Sequence, residues 1–382
     1  MKNRLAMFTA ICWIAVFRLA SADSTSADTP AEAEPIDAEV VFVLDTTGSM
    51  TGLIEGAKQK IWSLAGGIIQ RTGGEVRIGL VPYRDRGDAY VTRLFPLTNN
   101  LDQVYSDLQG FRAAGGGDAP ESVNQALNEA VSKMRWSDSP RVMRTIFLVG
   151  DCPPHMDYPD DVKYSESCAL AAKKNIVVNT VQCGGDPSTT PFWQEIAKLT
   201  NGGYSQIGQT GNMRMVKTPF DEEIQSINIK LSKTVLPYGS HASQAGLRKL
   251  VADNVGASSA VAASRNAVKV QGMTRSKLAA PVTGMDLTAT PELLETLRSE
   301  DLPEEFRNLS AKDRKAKLDE AVQQRRELNA KLLELDRKRN KFLRDAAEHT
   351  SPTAGASSFD AEVLKSIDSQ LKGLRNLKTE TK

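Results

Sequence analysis

An apolar run, Val40-Val41-Phe42-Val43-Leu44, ends on the carboxylate of Asp45, and the hydroxyls of Thr47 and Ser49 follow with Gly48 between them. A carboxylate and two hydroxyls grouped this closely are hard oxygen donors, the chemistry that holds Mg²⁺, Mn²⁺ or Ca²⁺. Two further segments carry the same donor type. Asp118 and Glu121 follow the break Gly115-Gly116-Gly117, and Asp151 ends the run Ile146-Phe147-Leu148-Val149-Gly150. Hydroxyl ligands beside few direct carboxylates leave an ion electrophilic, so water or a partner's carboxylate completes its shell. Each segment also has a plainer use. An Asp at a strand end caps the next helix, and Asp118 with Glu121 places negative charge at a helix N-terminus. The three in chain order point to a divalent site.

His155 follows Asp151-Cys152-Pro153-Pro154 and lies near that site as a ligand, a general base or a residue that shapes its loop. No Ser/His/Asp or Cys/His arrangement stands out, and Cys152 lacks an activating partner. The first strand–helix turn carries neither G-x-G-x-x-G nor a P-loop lysine, which argues against a nucleotide-binding domain. A hydrolase using the ion as Lewis acid, with His155 or Glu121 as base, is an alternative without visible pocket-forming insertions.

These donors must be set by a scaffold, and the pattern around them alternates strand and helix. Strands are expected at Val40–Leu44, Val76–Val81, Ile146–Val149, Ile176–Val181 and, weakly, Tyr204–Ile207, with Tyr90–Leu94 as a short edge strand. Leu53, Ile54, Ala57, Ile61, Leu64, Ala65 and Ile68 fall at helical spacing, and Gly73-Gly74 stops that helix. A short helix follows from Leu101. Another starts at Pro120, a residue suited to a first helical turn, and further helices cover Tyr164–Lys174 and Phe192–Leu199. The class is α/β, a doubly wound and mostly parallel sheet. In such a sheet the strands ending at Asp45 and Asp151 are neighbours across the topological switch point, where ligands bind.

Thr218–Val235 reads as the closing helix, and residues 237–300 as an Ala- and Ser-rich, partly helical connector. Residues 301–382 read as an α-helical hairpin. Ser310 and Asp313 form a capping box. Leu318 and Leu332 fall on heptad position a, and Leu328, Leu335 and Phe342 on d, although Arg325 and Arg339 at a weaken a dimer seam. After a loop, Phe359, Val363, Ile367, Leu371 and Leu374 mark a second amphipathic helix. The pair folds back on itself or on a partner, which leaves self-association or assembly through these helices as a second functional reading.

A formal net charge of +1 over 382 residues argues against nucleic acid as a partner. Residues 1–22 have the positive start, short apolar core and small-x-small end of a signal peptide, and no membrane span is expected after cleavage. The mature protein is then exported, to the periplasm or outside the cell, and residues 23–37 are a flexible linker. Cys152 and Cys183 follow strands at one end of the sheet and are either bridged or free, while Cys168 is expected buried on a helix.

Asp45-Thr46-Thr47-Gly48-Ser49, Gly117-Asp118-Ala119-Pro120-Glu121 and Asp151 resemble the metal-ion-dependent adhesion site of a von Willebrand factor type A (vWA) domain, over roughly residues 38–236. The resemblance implies strand order 3-2-1-4-5-6, one divalent ion (Mg²⁺ first, Ca²⁺ or Mn²⁺ otherwise) and adhesion to a protein that presents an acidic residue, not turnover. The D-x-P-E segment and Arg77–Asp85 are more similar to the inserted domain of integrin β subunits. That similarity implies Asp45, Thr47, Ser49, Glu121 and Asp151 as primary ligands. It also implies a second, calcium-type site at Asp85, Asp118, the Pro120 carbonyl and Glu121, with a glycine near Gly116 where that site has an Asn. Taken whole, the chain resembles exported bacterial A-domain proteins.

Overall fold

Apolar strands that are buried on both faces pair in parallel and need helices above and below. The computed structural model, which describes residues 34–117, 119–211, 216–276, 285–349 and 359–380, meets that need with six strands and ten α-helices among those residues. The strands are β1 (Ile36–Asp45), β2 (Gly73–Tyr83), β3 (Phe95–Thr98), β4 (Met143–Gly150), β5 (Ile176–Cys183) and β6 (Tyr204–Ile207). They stand in the order β3-β2-β1-β4-β5-β6, all parallel except β3. The expected α/β class and strand order 3-2-1-4-5-6 are therefore observed.

Side chains alternate along β1. Val40, Phe42 and Leu44 face a core with Leu53, Ile54 and Ile68 of α1 (Thr51–Thr72). Val41 and Val43 face a second core with Val123 and Leu127 of α3 (Val123–Ser132), Cys168 of α4 (Tyr164–Lys173) and Trp193 of α5 (Thr190–Leu199). α2 (Leu101–Gln109) lies beside α1 and β3. α1 ends as its sequence dictates, with Gly73 at φ 72°, a left-handed cap that glycine adopts without strain.

Four expectations are corrected. The regular edge strand is Phe95–Thr98. The expected Tyr90–Leu94 stretch pairs only through an isolated antiparallel bridge of Thr92 to Tyr83, with Arg84 N–H donating to the Val91 carbonyl and Arg93 N–H to the Pro82 carbonyl. Tyr90 is occupied elsewhere, with Arg84 and Arg93 against its ring at 4.6 and 4.3 Å and its hydroxyl 2.7 Å from Thr46 Oγ1. The helix expected from Pro120 starts at Val123, because Ser122 gives its hydroxyl to Asp85 Oδ1 at 2.9 Å and Glu121 bridges to Pro154. The linker also ends earlier, since β1 already begins at Ile36.

The fourth correction concerns the C-terminal helices. α6 (Asp221–Ser232), α7 (His241–Val255), α8 (Ser259–Ser276), α9 (Ala311–His349) and α10 (Phe359–Glu380) follow the sheet. α9 packs against α6 and α8, whereas α10 packs against α1, β4 and β5, so the two dock separately instead of forming the expected hairpin. The reason lies in the residues that spoiled the heptad seam. Arg339 pairs with Asp221 at 2.9 Å and Arg325 with Asp286 at 2.7 Å, fixing α9 to partners outside any coiled coil. Leu328, Leu332 and Leu335 then close over Ile224 and Ile227. On α10, Phe359, Val363, Ile367 and Leu371 join the core beneath β1 and β4. Ser310 caps α9, its Oγ accepting from the Asp313 amide at 3.2 Å, while Asp313 Oδ2 accepts from the Ser310 hydroxyl at 2.7 Å in place of the backbone bond of a full capping box.

Cys152, Cys168 and Cys183 are all unbridged, and Cys168 is buried on α4. Among the described residues no helix is long and apolar enough to cross a membrane. The leader at residues 1–22 and the linker up to residue 33 lie outside the described residues.

Candidate metal centre

Asp45 is the last residue of β1 and is fully buried. Its Oδ1 accepts from the Thr47 amide at 2.8 Å and from Thr47 Oγ1 at 2.6 Å, and Thr47 Oγ1 lies 3.3 Å from Ser49 Oγ. The strand tip therefore folds its own hydroxyls back beside its carboxylate. On the neighbouring strand Leu44 is opposite Val149, which brings Gly150 and then Asp151 alongside Asp45. A Cβ at Gly150 would stand 2.4 Å from Tyr83 Oη and 3.2 Å from Asp45 Cβ, so only glycine lets these side chains meet over the sheet end. Gly150→Ala is expected to destabilise the fold by about 1–3 kcal/mol through overpacking, measured by urea unfolding.

Glu121 reaches the same point from the other side. Its amide donates to the Pro153 carbonyl at 2.9 Å and its carbonyl accepts from the His155 amide at 3.0 Å, which locks it to the loop after Asp151. The glycine break closes the third side. Gly48 N–H donates to the Gly115 carbonyl at 3.2 Å, and a Cβ on Gly116 (φ 81°) would lie 3.2 Å from Glu121 Oε1 and 3.3 Å from Thr47 Cβ.

Three buried carboxylates thus converge, and each keeps one buried oxygen with no hydrogen-bond partner among the described residues: Asp45 Oδ2, Glu121 Oε2 and Asp151 Oδ1. Burial, reinforced by Asp151 against the opposing Thr47 hydrogen bonds, pushes Asp45 up to about 7. Burial and then the charges of Asp45, Asp85, Asp88 and Asp151 push Glu121 up to about 9. Buried acids raised in this way lack a compensating charge. Among the described residues no group of three or more His, Cys, Asp and Glu side chains has metal-holding geometry by itself. The hydroxyls of Thr47 and Ser49 stand beside the Asp45 carboxylate as further oxygen donors.

Of the sequence-derived ligands, Asp45, Thr47, Ser49, Glu121 and Asp151 come together at the strand ends. Asp118 lies outside the described residues. Asp85, buried after β2, is engaged otherwise: it accepts from Ser122 Oγ and from the Tyr158 hydroxyl (3.0 Å to Oδ2), and His155 Nε2 lies 3.3 Å from its Oδ2. His155 stacks on Tyr158 with ring centroids 4.0 Å apart, and its Nδ1 sits 2.7 Å from Asp157. These contacts give His155 and Asp85 the geometry of braces for the loop behind Glu121.

Three participants were not picked out by spacing. Gln209, just after β6, donates to Asp151 Oδ2 at 2.7 Å and reaches the Ser49 carbonyl at 3.3 Å. Asp88 accepts from the Gly116 amide at 3.0 Å and so holds the glycine loop. Asn124 donates to the His155 carbonyl at 2.6 Å and accepts from the Tyr164 amide at 2.8 Å. The proximity of Asp88 to Asp85 was the one available signal for any of them.

Residues 39–217 match the sequence family described as von Willebrand factor A domain. This segment is a vWA domain. A protein of Acanthamoeba polyphaga mimivirus described as ariadne-like RING finger protein R811 is 23% identical over 278 residues, covering 68% of this chain and 26% of the relative. The chain thus spans about a quarter of that relative's length. Among solved structures, BatB of Bacteroides thetaiotaomicron is 18% identical with a TM-score of 0.34, covering 45% of this chain and 90% of its own. The SpRpn10 VWA domain is 13% identical with a TM-score of 0.36, covering 47% and 91%. Proximal thread matrix protein 1 from the mussel byssus is 14% identical with a TM-score of 0.35, covering 46% and 42%.

Proposed function

We propose that the vWA domain binds a protein partner through a divalent cation held by Asp45, Thr47, Ser49, Glu121 and Asp151, with Mg²⁺ the first choice and Mn²⁺ or Ca²⁺ able to replace it. The observation that carries this reading is the set of three buried carboxylate oxygens left without partners among the described residues, around two hydroxyls. Such a set is costly unless a positive charge compensates it. The bound ion would supply a Lewis-acidic position for a carboxylate from the partner. The chain's own part is orientation. Thr47 fixes one oxygen of Asp45, Gln209 fixes one of Asp151, and the Pro153 and His155 backbone fixes Glu121.

Binding, not turnover, is the reading, because His155 is held between Asp85, Asp157 and Tyr158 and does not stand as an available base. The second, calcium-type site at Asp85 is not carried forward, since neutral donors already occupy that carboxylate. The exported setting, periplasmic or extracellular, belongs to this proposal. Assembly through the C-terminal helices finds less support, because the apolar faces of α9 and α10 are already covered by the same chain.

Capture of partners from the native extracellular fraction tests the proposal. A partner should be retained in Mg²⁺ and lost both in chelator and in Asp45→Ala. Retention unaffected by both treatments would sink the idea.

A further inference from the structure

Far from the strand tips, α2, α6, α7, α8 and α9 line a partly open cavity of about 110 Å³, room for several waters or a small organic molecule. Its wall is apolar along Leu247, Leu250, Val251 and Leu332, with polar groups converging from the other side. Three cations face it: Arg265, Lys269 and Arg325. Arg265 forms a two-point pair with Asp102 at 2.7 and 2.9 Å, and Lys269 shares the same carboxylate at 3.0 Å. Arg325 pairs with Asp286. Among the described residues, then, three positive charges meet two negative ones, and Asp102 serves two cations at once.

Two further groups line the same space. Among the described residues, Asn266, 3% exposed, has its Nδ2 without a hydrogen-bond partner, and Asn254, 7% exposed, has its Oδ1 without one. A buried donor and a buried acceptor left open beside an uncompensated charge are expensive unless something completes them. Burial, and after it the Arg265 guanidinium, pushes the Lys269 amine down to about 8, which agrees with a missing anion.

We propose that this cavity is a binding site for a small carboxylate with a short apolar body. The anionic head sits between Lys269 and Arg325, the apolar body lies against Leu250 and Val251, and Asn254 and Asn266 serve a further polar substituent. Ion pairs alone would fasten α8 to α2 and α9 to the Asp286 segment. They would not require an open space with a surplus charge and two unanswered amide groups.

The test is a thermal-shift titration of the full chain in excess chelator, which silences the strand-tip site. The probes are butyrate, isovalerate and 2-hydroxyisovalerate, each against its neutral amide at matched ionic strength. At ~10 times its dissociation constant, at least one acid should raise the melting temperature by roughly 3–5 °C. Its amide should not. Lys269→Met, which removes the surplus charge, and Leu250→Trp, which fills the space without changing charge, should each abolish the shift. The proposal is overturned if none of the acids shifts the wild-type protein, if acid and amide act equally, or if both variants respond like wild type.

Discussion

In chelator, the melting temperature is expected to fall as the pH is raised, and saturating Mg²⁺ should restore it most strongly at the alkaline end. The sign follows from the raised acids. Asp45 and Glu121 have ordinary values of 3.8 and 4.5 and folded values of about 7 and about 9. A group whose folded value is raised adds stability that is complete below its unfolded value and is lost as pH climbs through its folded one. Ion-free protein therefore loses stability across about pH 4–9 from this pair. A divalent ion at the proposed site would hold both groups ionised, so its binding would release protons and tighten as pH rises. At ~100 times its dissociation constant an ion adds about 2.7 kcal/mol, roughly 5–10 °C for a domain of this size. Melting curves across this pH range, with chelator or Mg²⁺, check it. A shift that is equal at low and high pH would contradict the assignment of these two carboxylates.

The second large effect concerns α10. Ile367 is fully buried in the core beneath β1 and β4. Replacing it by Ala should cost about 2–5 kcal/mol, and the loss should appear in the unfolding of the vWA domain itself. Trp62 on α1 and Trp193 on α5 are buried on opposite faces of the sheet and report that unfolding by fluorescence. A helix held only in a separate hairpin would leave both signals unchanged. Lys60 with Asp360 at 3.1 Å and Arg71 with Asp368 at 3.1 Å frame the same docking, although such partly exposed pairs contribute little.

The sheet was legible because its central strands are uninterrupted apolar runs and its helices keep an unbroken apolar face. Asp45, Glu121 and Asp151 were legible because each closes such a run or follows a glycine break, and Thr47 and Ser49 because their hydroxyls follow Asp45 at two-residue spacing. Other features carried no local signal. Gln209 follows an edge strand, and nothing in its neighbours announces that its amide reaches back to Asp151. Tyr90 has strand propensity, yet two guanidiniums and Thr46 recruit its ring and hydroxyl, so its stretch pairs only at Thr92 and the regular edge strand forms at Phe95–Thr98. Pro120 has the chemistry of a first helical turn, but Ser122 is drawn to Asp85 and delays the helix to Val123. The hairpin reading rested on heptads. Arg325 and Arg339 were the residues that spoiled the seam, and both turned out to be ion-paired to aspartates elsewhere in the fold.

Calorimetric titration of Mg²⁺ or Mn²⁺ into chelator-treated protein tests the central claim most directly. One ion per chain should bind, with uptake that releases protons, and Asp45→Asn should abolish it while leaving the far-ultraviolet circular dichroism unchanged. Absence of ion binding in the folded wild-type protein, or binding that survives Asp45→Asn undiminished, would contradict the account.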